Sequence, residues 1–226
     1  MQILTKRMKY LKLIGILLLF SAKLKAQTDD AINIIQRPIE FNQERIDLSL
    51  DYMRTHYGIV QKTPTINPLM IVLHYTEVGT LEHNIRYFNN TYLNGRKNLS
   101  RESALNVSSQ FIIDRDGSIY QLMPPTQFAR HTIGLNYCAI GIENIGGSKQ
   151  PLTEAQAEAN AKLIRYLTKK YAIQYLIGHS EYGAFRNSSL WKEKNPNYFT
   201  EKYDPGVSFM QKVRTKIRDL HLKSAP

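Results

Sequence analysis

Four stretches of the chain carry apolar residues at the three- and four-residue spacing of an amphipathic helix. The third stretch opens with Thr153 and Gln156, a capping-box pair in which each residue satisfies a backbone group of the other. Pro205 lies at the start of the fourth stretch, and proline is favoured in the first turn of a helix. The spacing therefore predicts four helices that each bury one face, covering residues 46–57, 81–92, 153–171 and about 205–220.

Short apolar runs of strand length alternate with these helices. Asp116 and Gly117 separate the second and third runs and predict a hairpin. Residues 27–45 are polar and predict an arm, and residues 94–106 predict a surface loop. The order of elements predicts a single α/β domain, with a mixed central β-sheet and helices on both faces. The predicted strands are residues 70–76, 108–113, 118–123, 139–145 and 175–178.

Two histidines, His74 and His179, each follow a buried apolar strand. A single histidine in that position is typical of a hydrogen-bonded residue at the rim of a sheet. Two of them, at rigid strand ends, suit a metal site. A catalytic zinc ion takes three protein ligands. Asp204 is a candidate for the third, although an aspartate there could instead cap the last helix, and His131 is the alternative third ligand.

Four ordered motifs resemble those of zinc-dependent N-acetylmuramoyl-L-alanine amidases, a family that includes amidase-type phage lysozymes and peptidoglycan recognition proteins. The resemblance extends over roughly residues 66–218 and implies an enzyme that cleaves the amide bond between N-acetylmuramic acid and the L-alanine of the peptidoglycan stem peptide. The motifs are VLHYT at 72–76, IGIEN at 140–144, GHSEY at 178–182 and KYDPG at 202–206.

The same resemblance implies roles for individual residues. His74, His179 and Asp204 match the family's three ligands to Zn²⁺. Glu143 matches an acidic residue that faces the zinc, and Lys202 matches a lysine beside the substrate carbonyl. We expect Glu143 to transfer the proton of the attacking water and Lys202 to stabilise the oxyanion. Without the motifs, Glu143 would be interpreted as a strand residue paired with a Lys or Arg, and Lys202 as a solvent-exposed lysine in a loop.

The segment RHTIGLNYCAIGIEN resembles the family's substrate groove. This likeness predicts that Arg130, His131 and Asn136 bind the substrate's carboxylates and hydroxyls.

Two features depart from the family. Ser109 and Gln110 stand where many relatives have Tyr-His or Ala-His, which leaves proton transfer to the acidic residue of IGIEN.

The second departure is a longer connection between the GHSEY and KYDPG motifs, at residues 183–200. It contains Phe185 and Trp191. This segment is either an extra loop that stacks on sugars beside the groove or a plain surface insertion.

Residues 1–26 have the order of a secretory signal peptide: basic residues, an apolar run at 13–20, then small residues. The apolar run is too short to span a membrane, so no anchor is expected after cleavage, which we place between Ala26 and Gln27. The mature protein is then expected in the periplasm or secreted. The predicted organisation is a signal peptide at 1–26, an arm and first helix at 27–65, a catalytic domain at 66–218 and a tail at 219–226.

Charge and cysteine content narrow the function further. Of 30 Lys and Arg residues, six lie in residues 1–26, so 24 basic residues face 19 acidic ones in the rest. That surplus, without a basic and aromatic track, argues against nucleic-acid binding. The only cysteine, Cys138, excludes an internal disulfide and a lipid-modified N-terminal cysteine. Two rivals remain: a non-catalytic peptidoglycan-binding module and a zinc peptidase that cuts within the stem peptide. Nothing in the sequence indicates an oligomeric state.

Overall fold

The computed structural model describes residues 32–226 and contains six strands and five α-helices in that range. The strands are β1 (Ile34–Gln36), β2 (Met70–Leu73), β3 (Phe111–Ile113), β4 (Ile119–Gln121), β5 (Ala139–Asn144) and β6 (Tyr175–Gly178). The helices are α1 (Gln43–Tyr57), α2 (Leu81–Asn89), α3 (Lys97–Ser100), α4 (Glu154–Lys170) and α5 (Val207–Lys216). Short 3₁₀ helices follow β6 and α5, at His179–Phe185 and Arg218–Leu220.

The strands form one mixed sheet in the order β1-β4-β3-β5-β2-β6. β3 and β4 pair antiparallel, as the predicted hairpin requires, and all other neighbours are parallel. The central strand β2 pairs with β5 on one side and β6 on the other. The carboxyl ends of these three parallel strands therefore meet at one edge of the sheet, where side chains from distant parts of the sequence converge.

Both faces of the sheet are covered, which confirms the predicted fold class. Ile71 and Leu73 of β2 are fully buried in a cluster that includes α4 and α5. Met70 and Val72, which point to the other face because side chains alternate along a strand, are buried with residues of α1. Helix α2 packs over the β3 end of the sheet in a third cluster. The strand that carries His74 is thus held from both sides.

Three local predictions were wrong. The arm predicted at 27–45 contains β1, which pairs with β4 at the sheet edge; its residues are only partly buried, so it lacks the apolar alternation that marks a strand. A one-turn helix, α3, lies within the predicted loop at 94–106. Pro205 precedes the last helix instead of opening it, because Gly206 adopts a φ of 92° and α5 begins at Val207.

The structure describes the C-terminal end of the chain but not the predicted signal peptide. The predicted signal peptide lies outside the described residues. Within 32–226, none of the helices has the length and apolar character needed to cross a membrane. The predicted C-terminal tail lies against the sheet edge, where the Leu176 amide donates to the Lys223 carbonyl at 2.9 Å.

Candidate metal centre

The pairing of β2 with β6 brings His74 and His179 together. Leu73 is in register with Gly178, so the next residue on each parallel strand is a histidine at the same level of the sheet. Both side chains are buried. Asp204 approaches from the segment before α5, where the Ser180 amide donates to the Asp204 carbonyl at 2.8 Å. A hydrogen bond between two loops thus carries the carboxylate to the strand ends.

Three ligand atoms of these residues form a nearly equilateral triangle. His74 Nδ1 lies 3.0 Å from His179 Nδ1, and each nitrogen lies 3.1 Å from Asp204 Oδ2. Ligand atoms bound tetrahedrally to zinc at about 2.0–2.1 Å are roughly 3.3 Å apart. Two nitrogens and one carboxylate oxygen are also donors that zinc accepts. The spacing and chemistry therefore fit a zinc ion with an open fourth position.

His131 fixes which nitrogen of His74 faces the triangle. His131 Nε2 lies 3.2 Å from the carbonyl of Ala139, which only accepts, so Nε2 carries the proton. Burial lowers the pKa of His131 well below its usual range, which keeps the ring neutral and leaves Nδ1 as an acceptor. That Nδ1 lies 3.1 Å from His74 Nε2. His74 therefore donates through Nε2 and presents the lone pair of Nδ1 to a metal.

This arrangement argues against His131 as the third ligand. Its two ring nitrogens face the Ala139 carbonyl and His74 Nε2, and Thr132 Oγ1 lies 2.9 Å from Nδ1. Asp204 occupies the third corner of the triangle instead.

We expect His131→Leu to weaken zinc binding by about 10–100-fold, since His74 loses the acceptor that sets its tautomer and ring orientation. Competition with a chromophoric chelator measures the dissociation constant. His131→Gln is the matched control, because its amide oxygen can accept from His74 and should preserve much of the affinity. Equal zinc affinity in the Leu variant and the wild type would contradict an orienting role.

The pKa values of Asp204 and His179 favour the protonation states that bind a cation. Burial raises the pKa of Asp204, but the two adjacent imidazoles outweigh burial and hold that pKa well below its ordinary value. Burial, together with the nearby His74, lowers the pKa of His179 to about 4. At neutral pH the carboxylate is ionised and the imidazole of His179 is neutral. Both are the protonation states in which these groups bind metal.

Glu143 and Lys202 line the same cavity as the triangle. Glu143 Oε2 is buried and has no hydrogen-bond partner among the described residues. Burial raises the pKa of Glu143 to about 7; the nearby His74 opposes this shift and Asp204 adds to it. Burial also lowers the pKa of Lys202. A carboxyl group that titrates near neutrality and an ammonium group thus share one cavity with the ligand atoms.

Similarity to known proteins agrees with this geometry. The sequence model of the N-acetylmuramoyl-L-alanine amidase family matches residues 64–207, more than half of the chain. The chain belongs to the N-acetylmuramoyl-L-alanine amidase family. No curated protein is similar enough to match.

Solved structures share the fold of this amidase-family chain. LysC, an N-acetylmuramoyl-L-alanine amidase from Clostridium intestinale, is 21% identical with a TM-score of 0.50, over 85% of this chain and all of its own. LysCS, an endolysin amidase of the same organism, is 21% identical with a TM-score of 0.52, over 84% and 97%. Human PGRP-IβC, solved in complex with a muramyl pentapeptide, is 18% identical with a TM-score of 0.50, over 73% and 92%.

Two predicted substrate-binding residues of this amidase-family chain, Arg130 and Asn136, form hydrogen bonds within the protein. Arg130 is buried and donates to the carbonyls of Ser103, Leu105 and Leu99 and to the Tyr198 hydroxyl. Its Nη1 and Nη2 groups therefore donate to protein partners, whereas its Nε has no hydrogen-bond partner among the described residues and part of the side chain lines the cavity.

Asn136 is likewise fully buried. Its Oδ1 accepts from the amides of His131 and Thr132, at 2.8 and 2.6 Å, and its Nδ2 donates to the Tyr57 hydroxyl at 2.8 Å. Asn136 thereby holds the backbone that places His131. Direct contact of Arg130, His131 or Asn136 with substrate stays a prediction, and their protein contacts indicate that they shape the groove.

Sequence reasoning missed Asn144, which positions the backbone at His74. Asn144 Nδ2 donates to the His74 carbonyl at 3.0 Å, and Asn160 Nδ2 donates to Asn144 Oδ1 at 2.7 Å. The amide of IGIEN thus links the metal-ligand strand to helix α4. The available signal was a neutral polar side chain at the end of a buried strand that is apolar apart from Glu143, because such a group must be hydrogen-bonded inside the protein.

The two aromatic rings named in the insertion at 183–200 pack against the protein. Phe185 is fully buried in the core. Trp191 is partly buried and packs against Gly134, where a Cβ would lie only 2.6 Å from the indole, and against Tyr182. Neither ring is among the residues that line the cavity, so the structure gives no support to the sugar-stacking alternative for these two rings.

The insertion is instead fixed to helix α1 and forms a wall of the cavity. His56 Nδ1 lies 2.9 Å from a carboxylate oxygen of Glu193, whose side chain is buried. Burial lowers the pKa of His56, but Glu193 outweighs burial and raises it overall. His56 Nε2 meets the Glu102 carbonyl at 3.1 Å. Tyr198 of the same insertion packs against the His56 ring, with the ring centroids 5.4 Å apart, and lines the cavity.

Proposed function

We propose that this chain is a zinc-dependent N-acetylmuramoyl-L-alanine amidase that hydrolyses the bond between N-acetylmuramic acid and the stem-peptide L-alanine of peptidoglycan. One observation carries the proposal: the triangle of His74, His179 and Asp204 shares a cavity of about 430 Å³ with Glu143 and Lys202. Amide hydrolysis requires a polarised carbonyl, an activated water, a proton carrier and a stabilised oxyanion. The donor set and the two charged groups can supply each of these.

Zinc held by the triangle would polarise the scissile carbonyl and make a water molecule easier to deprotonate near pH 7. Glu143 then receives the proton of the attacking water, because its carboxylate oxygen Oε2 is buried without a partner and is free to accept. A carboxyl group with a pKa of about 7 can release that proton again. Glu143 therefore passes it to the nitrogen of the departing L-alanine.

Lys202 places a positive charge at the wall of the cavity, close to the carbonyl of a substrate held at the triangle. Carbonyl oxygen gains negative charge as water adds, and a fixed cation in a partly buried site stabilises that charge more than it stabilises the neutral ground state. Because Lys202 is two residues from Asp204, the turn that fixes the metal ligand also fixes the lysine.

The decisive measurement is product analysis. Purified protein incubated with muropeptides should release free stem peptides that begin with L-alanine, identified by mass, and a zinc chelator should abolish their release. Zinc added back should restore it. Retention of intact muropeptides on the protein would indicate a binding module, and fragments cut within the peptide would indicate a peptidase.

Export forms part of this proposal, because peptidoglycan lies outside the cytoplasmic membrane. The order of charges and apolar residues in 1–26 supports it. Mass spectrometry of the mature chain tests it, with an N-terminus at Gln27 expected and an intact Met1 contradicting it.

A further inference from the structure

A buried ion pair outside the metal centre joins helix α1 to the insertion at 183–200. The side chains of His56 and Glu193 are 6% and 1% exposed. His56 Nδ1 lies 2.9 and 3.0 Å from the two carboxylate oxygens of Glu193. On the other side of the ring, Nε2 lies 3.1 Å from the carbonyl oxygen of Glu102. The imidazole therefore lies between two groups that only accept hydrogen bonds.

This geometry indicates the charge of His56. A neutral imidazole carries one N–H group, whereas an imidazolium carries two. Only the imidazolium can donate to the Glu193 carboxylate and to the Glu102 carbonyl at the same time. Burial lowers the pKa of His56, but Glu193 outweighs burial and raises it overall. The contacts therefore fit a doubly protonated ring that faces an ionised carboxylate.

The pair anchors the part of the insertion that leads into the cavity wall. The Lys194 amide donates to the His56 carbonyl at 2.9 Å, and Asn195 Nδ2 donates to the Glu102 carboxylate at 2.9 Å. Tyr198 follows three residues later, packs against the His56 ring and lines the cavity. The position of this wall therefore depends on the contacts around His56.

We propose that His56 and Glu193 form a proton-dependent latch, which positions this wall of the cavity for substrate when His56 is protonated and releases it when His56 is neutral. Loss of one proton removes the positive charge of the ring and leaves one of its two contacts without a donor. Glu193 then remains a buried carboxylate that has lost its counter-charge on the ring, which is unfavourable. Movement of the segment that carries Glu193 lets water reach the carboxylate and relieves that cost.

The direction of the pH effect follows from the raised pKa of His56. Such a group stabilises the folded contact below its unfolded pKa of about 6.5, and this contribution is lost as the pH rises through the folded pKa. The latch should therefore be closed in mildly acidic solution and open in alkaline solution. Glu193 favours the charged ring more than Arg130 opposes it. The titratable and charged residues packed around this pair are Tyr52 and Tyr57 on α1, Lys194 and Tyr198 in the insertion, Glu102 after α3 and Arg130 before β5.

Trp191 can report on the insertion, because it is the only tryptophan of the chain and lies two residues before Glu193. Its indole packs against Gly134 and Tyr182. Trp191 emission should change between about pH 6 and pH 9, with the same midpoint as the ring signals of His56 in NMR. Far-UV circular dichroism should stay constant over this range, which separates release of the insertion from unfolding.

Glu193→Gln distinguishes a latch from a purely structural contact. The new amide can donate to Nδ1 of a neutral His56 while Nε2 donates to the Glu102 carbonyl, so both contacts survive without charge. The pKa of His56 should fall, and Trp191 emission should no longer depend on pH in this range. Glu193→Ala removes the contact and should give the emission of the released state even in acid. Glu44→Gln, the same chemical change at an exposed position of α1, should titrate like the wild type.

Steady-state kinetics connect the latch to substrate, and this part of the inference rests on the proposed amidase function. KM for muropeptides should rise about tenfold as the wild type passes through the His56 transition, with a smaller change in kcat, because the wall contacts substrate and the reacting groups lie at the triangle. KM of Glu193→Gln should show no such rise. Other titrating groups of the cavity affect both proteins alike, so the comparison isolates the latch.

If the wild type cleaves no muropeptide, the proposed function fails, and the fluorescence and NMR titrations still decide the latch. Three outcomes would overturn it. These are Trp191 emission that stays constant while His56 titrates, a wild-type titration of emission in Glu193→Gln, and a loss of circular dichroism that parallels the change in emission.

Discussion

Glu143→Gln is expected to lower turnover of muropeptides by about 10²–10⁴-fold, the range typical for loss of a general acid–base group. The amide has the size of the carboxyl group but cannot accept and return a proton. Zinc content should stay at wild-type level, because Glu143 is not a corner of the ligand triangle. Steady-state kinetics and metal analysis on the same preparations measure both effects.

The matched control is Glu158→Gln, the same chemical change on helix α4, where the exposed Glu158 forms an ion pair with Lys216 of α5. It should leave turnover unchanged. Loss of zinc in the Glu143 variant would show that Glu143 supports the metal site directly. Undiminished turnover would move the proton-transfer role to another group.

The environment of Glu143 also sets an expected pH profile. Burial raises its pKa to about 7, so without metal the carboxyl group is about half protonated at neutral pH. A bound cation favours the ionised form and lowers that pKa. Only the carboxylate accepts a proton, so kcat/KM should rise with pH along a limb centred below pH 7. This limb should be missing from the residual activity of Glu143→Gln.

The sequence was sufficient to predict the centre of the site, for a physical reason. His74 and His179 each end a short apolar strand, and parallel strands present their carboxyl ends at one edge of a sheet. Asp204 could be predicted as a ligand only from its motif, KYDPG. Nothing in the local periodicity shows that a turn 25 residues after His179 returns to the same edge of the sheet. The Ser180–Asp204 backbone hydrogen bond that achieves this return is a tertiary contact.

The residues that line the groove were harder to predict. The sequence does not show whether a polar side chain points toward a ligand or toward the protein interior. Arg130 and Asn136 are polar residues in a motif that resembles a substrate groove, yet the Nη groups of Arg130 and the side-chain amide of Asn136 bind backbone and tyrosine partners. Burial of such groups is tolerable only when they are paired, and the pairing partners come from distant segments. Strand β1 was missed for a related reason, since an edge strand of three residues buries too little to impose a pattern.

Removing a corner of the triangle should have the largest effect of all. Asp204→Ala and His179→Ala are each expected to abolish stoichiometric zinc, a loss greater than the roughly 10–100-fold expected when an orienting partner of a ligand is removed. Two remaining donors do not make a catalytic zinc site, which uses three protein ligands. Metal analysis after gel filtration measures the stoichiometry, and amidase activity should fall with it.

Asp219→Ala serves as the control, because Asp219 is an exposed carboxylate paired with Arg165, well separated in the fold from the triangle. It should keep full zinc. The comparison with His131→Leu then assigns the ligands. If Asp204 is the third ligand, its loss must weaken zinc binding more than loss of His131, which acts only through His74. The reverse order, with zinc retained in Asp204→Ala and lost in His131→Leu, would make His131 the ligand and Asp204 its neighbour. That outcome would require the His131 ring to abandon the Ala139 carbonyl, so the hydrogen bond at 3.2 Å is itself an argument for the order predicted here.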